Sequence, residues 1–189
     1  MSTPIYTRGF SLIELLVTIS ISSILLSIVA PNLQNIIQSN EADSKISTLR
    51  RLLQVARTRA IVQQQSITIC GSNDGHTCLK HWQNYLLVFH DSNNDKTASA
   101  EEIIYSEPLN IGQANIKTRL GFGRISVKIN SLGQTNLTGS FIYCPPSNKA
   151  QYSRRLTWNR VGRSYRGRDT NHDGIIEDTD GKAISCSSD

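Results

Sequence analysis

An apolar run from Phe10 to Ala30, interrupted by a single ionisable residue, Glu14, constrains this chain more than any other stretch. The other twenty of its twenty-one residues are apolar, or small and hydroxylated. At 1.5 Å per residue, a helix of that length crosses the hydrocarbon core of a bilayer. A secretory signal would have a shorter apolar core with small residues after it for cleavage. Here the small residue, Gly9, precedes the run and Pro31 closes it, so the segment is expected to survive processing. The chain beyond Pro31 is then exported from the cytoplasm. Glu14 needs a reason, because a carboxylate in hydrocarbon costs about 3 kcal/mol. Either it snorkels to the membrane surface, or it pairs with a positive group of a neighbouring subunit. A free α-amine at Phe10, exposed by cleavage after Gly9, would be such a group and would reward one register of assembly.

Gly9-Phe10-Ser11-Leu12-Ile13-Glu14, with Arg8 before it and an apolar run after it, resembles the class III prepilin signal of type IV pilins and pseudopilins. The resemblance implies cleavage by prepilin peptidase between Gly9 and Phe10 and methylation of the Phe10 amine. It also implies that Glu14 meets the N-terminus of an adjacent pilin in a filament. Pro31 falls where many pilins kink their first helix.

The 189 residues leave room for one globular head behind the anchor. A net charge of +5 favours anionic partners without identifying them. Four cysteines in an exported domain suggest two disulfides, with three pairings open. Cys70 and Cys78 bracket a tight polar loop and are the preferred pair, which leaves Cys144 with Cys186 to hold the C-terminal tail. Zinc on these cysteines with His76 and His81 is the competing reading, disfavoured by spacing and compartment.

After Pro31, Leu33, Ile36, Ile37, Ile46, Leu49, Leu52, Leu53, Ala56 and Ala60 recur at helical steps, so one helix is expected to about Gln64. Glu41, Asp43, Lys45, Arg50, Arg51, Arg57 and Arg59 occupy its other face and read as solvated. From Ser66 the period becomes two. Strands are expected over 66–70, 85–90, 102–106, 116–120, 124–129 and 140–143, with a hairpin of 154–159 and 162–166. The division is a leader (1–9), a membrane or filament-core helix (10–30), its amphipathic continuation (31–65) and a β-rich head (66–189). The fold class is α+β, a long N-terminal helix packed on an antiparallel sheet. The head resembles the GspH/FimT branch of pilin-like proteins. The resemblance rests on Thr68-Ile69-Cys70 with Cys78, Trp82 leading into Leu87-Val88-Phe89-His90-Asp91, Gly123-Arg124, Tyr143-Cys144-Pro145 and Gly162-Arg163.

Charge is strongly segregated. From Pro108 to Arg168 there are eleven Lys and Arg and no acid, whereas the last 21 residues carry six acids against Lys182 alone. Seven of the eleven are Lys149, Arg154, Arg155, Arg160, Arg163, Arg166 and Arg168. Arginine grips phosphate through a planar fork and stays charged. Gly162 and Gly167 would let the backbone approach a ligand, and Tyr152, Trp158 and Tyr165 interleave aromatics. This mixture suits sequence-independent binding along a nucleic-acid backbone. The bland alternative is that the arginines solubilise the subunit or pair with neighbouring acids. FimT-type members of the branch, minor pilins of natural transformation, have an arginine-rich Gly-Arg motif near the C-terminus. That resemblance implies DNA contact at Arg163, Arg166 and Arg168, with Arg160, Arg154, Arg155, Lys149 and Arg124 as further candidates. The other reading is a structural pseudopilin of a type II secretion machine with no nucleic-acid role. In either case the protein is expected in the inner membrane, its head in the periplasm, and on a filament after assembly with other pilins.

Two loops resemble calcium loops. Asp169, Asn171 and Asp173 take the first, third and fifth places, Gly174 the sixth, and Asp180 the twelfth in place of Glu. Whether this loop binds calcium or is a metal-free Asx turn is left open. Asp91-Ser92-Asn93-Asn94-Asp95 begins similarly and has Glu102 at its twelfth place, but Lys96 occupies the glycine position, and it reads as an Asx-turn loop. No other cofactor is expected. No nucleophile elbow, phosphate loop or paired-histidine motif is present, so no catalytic residue is assigned and an enzyme is not the expected reading.

Overall fold

The computed structural model describes residues 10–82 and 84–186, so Gly9 and the rest of the leader lie outside the described residues. A 52-residue helix, α1 (Leu12–Gln63), begins at Ser11, whose Oγ accepts the Glu14 N–H at 3.3 Å. Ser11 and Glu14 stand in capping-box spacing, and an acid in the first turn suits the helix dipole. The helix runs through Pro31, which closes the apolar run without closing the helix. It stops where Gln64 turns left-handed at φ 54°.

The chain divides after Ile37 into two units. In the first, every side chain from Phe10 to Val29 is exposed, and an 18-residue window reaches a mean hydropathy of 2.4. Length and composition suit a membrane span. The hydroxyls of Thr18, Ser20, Ser22, Ser23 and Ser27 all donate to carbonyls three or four residues back. Their polarity is thereby satisfied within the helix, as an apolar surrounding requires.

The second unit, from Gln38, holds the core. Its part of α1 buries Ala42, Ile46, Leu49, Leu52, Leu53, Ala56 and Ala60 at steps of one, three and four. Among the described residues nine strands come after it: β1 (Ile67–Ser72), β2 (Cys78–Leu79), β3 (Tyr85–Phe89), β4 (Ile103–Pro108), β5 (Asn115–Leu120), β6 (Ser126–Ile129), β7 (Gly139–Cys144), β8 (Arg154–Trp158) and β9 (Ser164–Arg166). The single sheet expected from sequence is in fact two. One has the order β2-β1-β3-β4 with β6 also on β1, the other the order β5-β7-β8-β9, and every pairing is antiparallel. Trp82, before β3, stacks at 4.7 Å on Phe141 of the second sheet, which stacks at 4.7 Å on Trp158. This buried trio joins the two sheets in one core with α1.

Part of the charged face of α1 is not merely solvated. Lys45 donates to the carbonyls of Leu109 and Asn110, each at 2.9 Å, Arg57 donates to Gly133, and Asp43 accepts from Arg154. Cys70 is bonded to Cys78 and Cys144 to Cys186. With all four sulfurs in disulfides, the zinc reading is withdrawn.

Candidate nucleic-acid interface

Strand periodicity divides the basic cluster. Along β8, Arg154, Leu156 and Trp158 face inward and Arg155 outward, because successive side chains alternate across a sheet. Leu156 and Trp158 are fully buried. Arg154 donates through Nε to Asp43 at 3.1 Å, through Nη2 to Ser39 at 2.6 Å, and through Nη1 to the carbonyls of Gln151 and Ser153. It clamps the sheet to the helix. The outer face of the same sheet is covered by the C-terminal tail, where Ile142 and Cys144 pack with Ile175, Ile176, Ile184 and Cys186. Arg155 lies beneath that cover, 7% exposed, donating to the Glu177 carbonyl at 3.1 Å. Burial pulls its guanidinium below the usual arginine value, while Asp178 acts the other way. Arg154 and Arg155 are therefore removed from the candidate contacts: Arg154 is bonded to α1 and its own loop, and Arg155 is buried under the tail.

The β8–β9 hairpin presents the remainder differently. Residues 159–163 form its turn, with Gly162 at φ 79° and the Arg163 N–H bonded to Asn159 Oδ1 at 3.0 Å. Arg160, Arg163 and Arg168 are exposed, and among the described residues their guanidinium groups have no partner. Arg166 is exposed but leans on α1, donating to Ser47 Oγ and lying 3.9 Å from Asp43. Leu120, Gly139, Trp158 and Ser164 form one row across the sheet. β5 and β8 run the same way, so the exposed Arg124, beyond β5, leaves the sheet at the end where the hairpin turns. Lys149 is exposed too, but precedes β8 and so belongs to the opposite end.

Two further expectations are corrected. Tyr152 and Trp158 are buried, and Trp158 Nε1 donates to the Leu137 carbonyl, so Tyr165, 51% exposed, is the one of the three aromatics on the surface. Gly162 and Gly167 serve packing rather than ligand approach: a Cβ at Gly162 would collide with the Gly133 carbonyl, and one at Gly167 with Ile176.

Acids that the linear charge map set apart return in space. Asp178 pairs with Arg119 at 3.4 Å, and its carboxyl is held below the usual range first by the N–H groups of Lys182 and Asp180. Asp43 was missed as a partner of Arg154 and Arg166; a lone acid on a charged helix face gives no local signal of that role. In the 91–102 loop, Asn93 and Asp95 accept N–H groups two residues on, and Glu102 accepts from Ser99. These are Asx-type turn bonds. In the second loop, Asp169 and Asp173 are joined by Glu177, not by Asp180.

The family model described as type II transport protein GspH matches residues 45–162, well over half of the chain. The prokaryotic N-terminal methylation motif matches residues 6–30. Comparison with curated proteins finds no match. Among solved structures, one crystal form of the type IV minor pilin FimU of Pseudomonas aeruginosa has TM-score 0.57 at 19% identity, covering 78% of this chain and 96% of its own. A second crystal form gives 0.51 at 19%, covering 67% and 92%. The minor pseudopilin EpsH from the type 2 secretion system of Vibrio cholerae gives 0.49 at 13%, covering 67% and 95%. At 19% identity the likeness to FimU is one of fold.

Proposed function

Because the chain belongs to the GspH family, and is a minor type IV pilin or pseudopilin, we propose that it binds DNA without sequence preference during uptake in natural transformation. The family implies processing by prepilin peptidase, assembly with other pilins and a membrane-anchored start. In this reading the peptidase cuts between Gly9 and Phe10, Glu14 meets a neighbour's N-terminus, and the head lies in the periplasm before reaching the pilus. The FimT-like role rests on one observation: Arg160, Arg163 and Arg168 are exposed along a hairpin at a sheet edge, with no partner among the described residues. From Arg163 to Arg168, through β9, the chain reaches at most about 17 Å, a span on the scale of a few phosphates. Tyr165 offers a ring between them for stacking, worth about 1–3 kcal/mol per base on single strands. Among the described residues the one α-helix, α1, packs on the sheets, so contact is expected with phosphates rather than base edges.

Gel shift of the head, residues 38–189, tests this. That unit holds the whole buried core and both disulfides. Binding is expected to weaken steeply with salt, and the joint change Arg160→Gln, Arg163→Gln and Arg168→Gln is expected to abolish the shift. Unchanged binding in that variant would move the site elsewhere. A head that never shifts DNA would leave the structural pseudopilin reading. That second reading draws on the exposed Val55 and Val62 of α1, an apolar face that neighbouring subunits of a filament would cover.

A further inference from the structure

We infer that the C-terminal tail carries a calcium site built by Asp169, Asp173 and Glu177, with Asn171 completing its oxygen set. One carboxylate oxygen from each of the three acids lies within 4.8 Å of those of the other two. Among the described residues none of the three forms an ion pair. An acidic cluster of this kind is common without a metal; Glu177 sets this one apart. It is 6% exposed, and its Oε2 accepts the Thr170 N–H at 2.8 Å and the Thr170 hydroxyl at 3.0 Å. Its Oε1 is sealed from solvent and has no hydrogen-bond partner. A buried carboxylate oxygen left bare beside two further carboxylates is costly, and a cation among them removes the cost.

The donor chemistry selects the ion. Every candidate ligand is a hard oxygen, with no nitrogen or sulfur to favour zinc or copper. Asp169, Asn171, Asp173 and Glu177 stand at the first, third, fifth and ninth places of a calcium loop, with Gly174 at φ 84° in the sixth. Asp180, the twelfth-place residue, is exposed and outside the cluster. The ion thus sits at the front of the loop, where the turn leaves the basic strand. The Glu177 N–H donates to the Arg168 carbonyl and its carbonyl accepts from Arg155. Calcium would fix the tail as a cover over Arg155 and neutralise acids beside Arg168. The site does not depend on DNA binding.

Calorimetric titration of calcium chloride into the full chain in detergent micelles, disulfides intact, tests the site. A saturable heat is expected, with a dissociation constant on the order of 10⁻⁴ to 10⁻³ M, as for extracellular modules. Glu177→Gln and Asp173→Asn are each expected to weaken it about tenfold or more, and Asp180→Asn to leave it within about twofold. Asp173 is exposed, so its variant tests the site without disturbing the core. No saturable heat in the unaltered protein, undiminished affinity in Asp173→Asn, or loss of binding in Asp180→Asn would each overturn the inference.

Discussion

β8 and the chain that flanks β9 are neighbours, both rich in arginine, yet they put that arginine to opposite uses. β8 lies between β7 and β9, with α1 on one face and the C-terminal tail on the other. Arg154 is enclosed against α1 and Arg155 beneath the tail, and each finds an oxygen acceptor there. β9 is an edge strand, and the turn before it and the segment after it leave Arg160, Arg163 and Arg168 in solvent. Positive charge in a sequence is thus not positive charge on a surface. A strand's place in its sheet decides which of the two it becomes.

The contrast can be broken by substitution. The largest effect is expected at the inner end of β8. Trp158→Ala removes a fully buried ring stacked on Phe141 and bonded to Leu137, and should lower head stability by about 3–5 kcal/mol in urea unfolding. Arg154→Ala should cost about 2 kcal/mol in the same measurement, through lost charge-assisted bonds to Asp43 and Ser39. If Arg154→Ala instead left stability unchanged and weakened DNA binding, the division between the strands would be wrong. The smallest stability effect belongs to the turn before β9: Arg163→Gln should stay within about 0.5 kcal/mol of the unaltered head. Its effect should appear in the salt dependence of DNA binding, where each lost phosphate contact lowers the slope by roughly 0.9 or less. A loss of stability at Arg163 comparable to that at Arg154 would erase the contrast.

Much of the fold was legible because it rests on local patterns. The spacing from Ile46 to Ala60 marks one helical face, and the change of period after Gln64 marks the head. The hairpin around Gly162 was readable for the same reason, since its turn is closed by Asn159 and Arg163, four residues apart. The division into two sheets was not, because it depends on how β7 finds β5 and β8 rather than β1. In the candidate site, the arginine cluster was visible in sequence, but its useful members were not. The partner of Arg154 is Asp43, 111 positions away, and no local pattern marks that pair. The tail loop behaves similarly: sequence spacing pointed to Asp180, while the fold buries Glu177 in the cluster instead.

By itself, then, the sequence determined the apolar first helix with its single carboxylate, Glu14, the α+β class, and an excess of positive charge ahead of an acidic tail. Periodicity and composition carry those features over a few residues, and they need no distant partner. Tertiary structure alone decided which arginines face water and which carboxylate is left bare in the tail. Those outcomes depend on desolvation and on contacts between segments far apart in the chain, which exist only once the helix, the two sheets and the tail have packed.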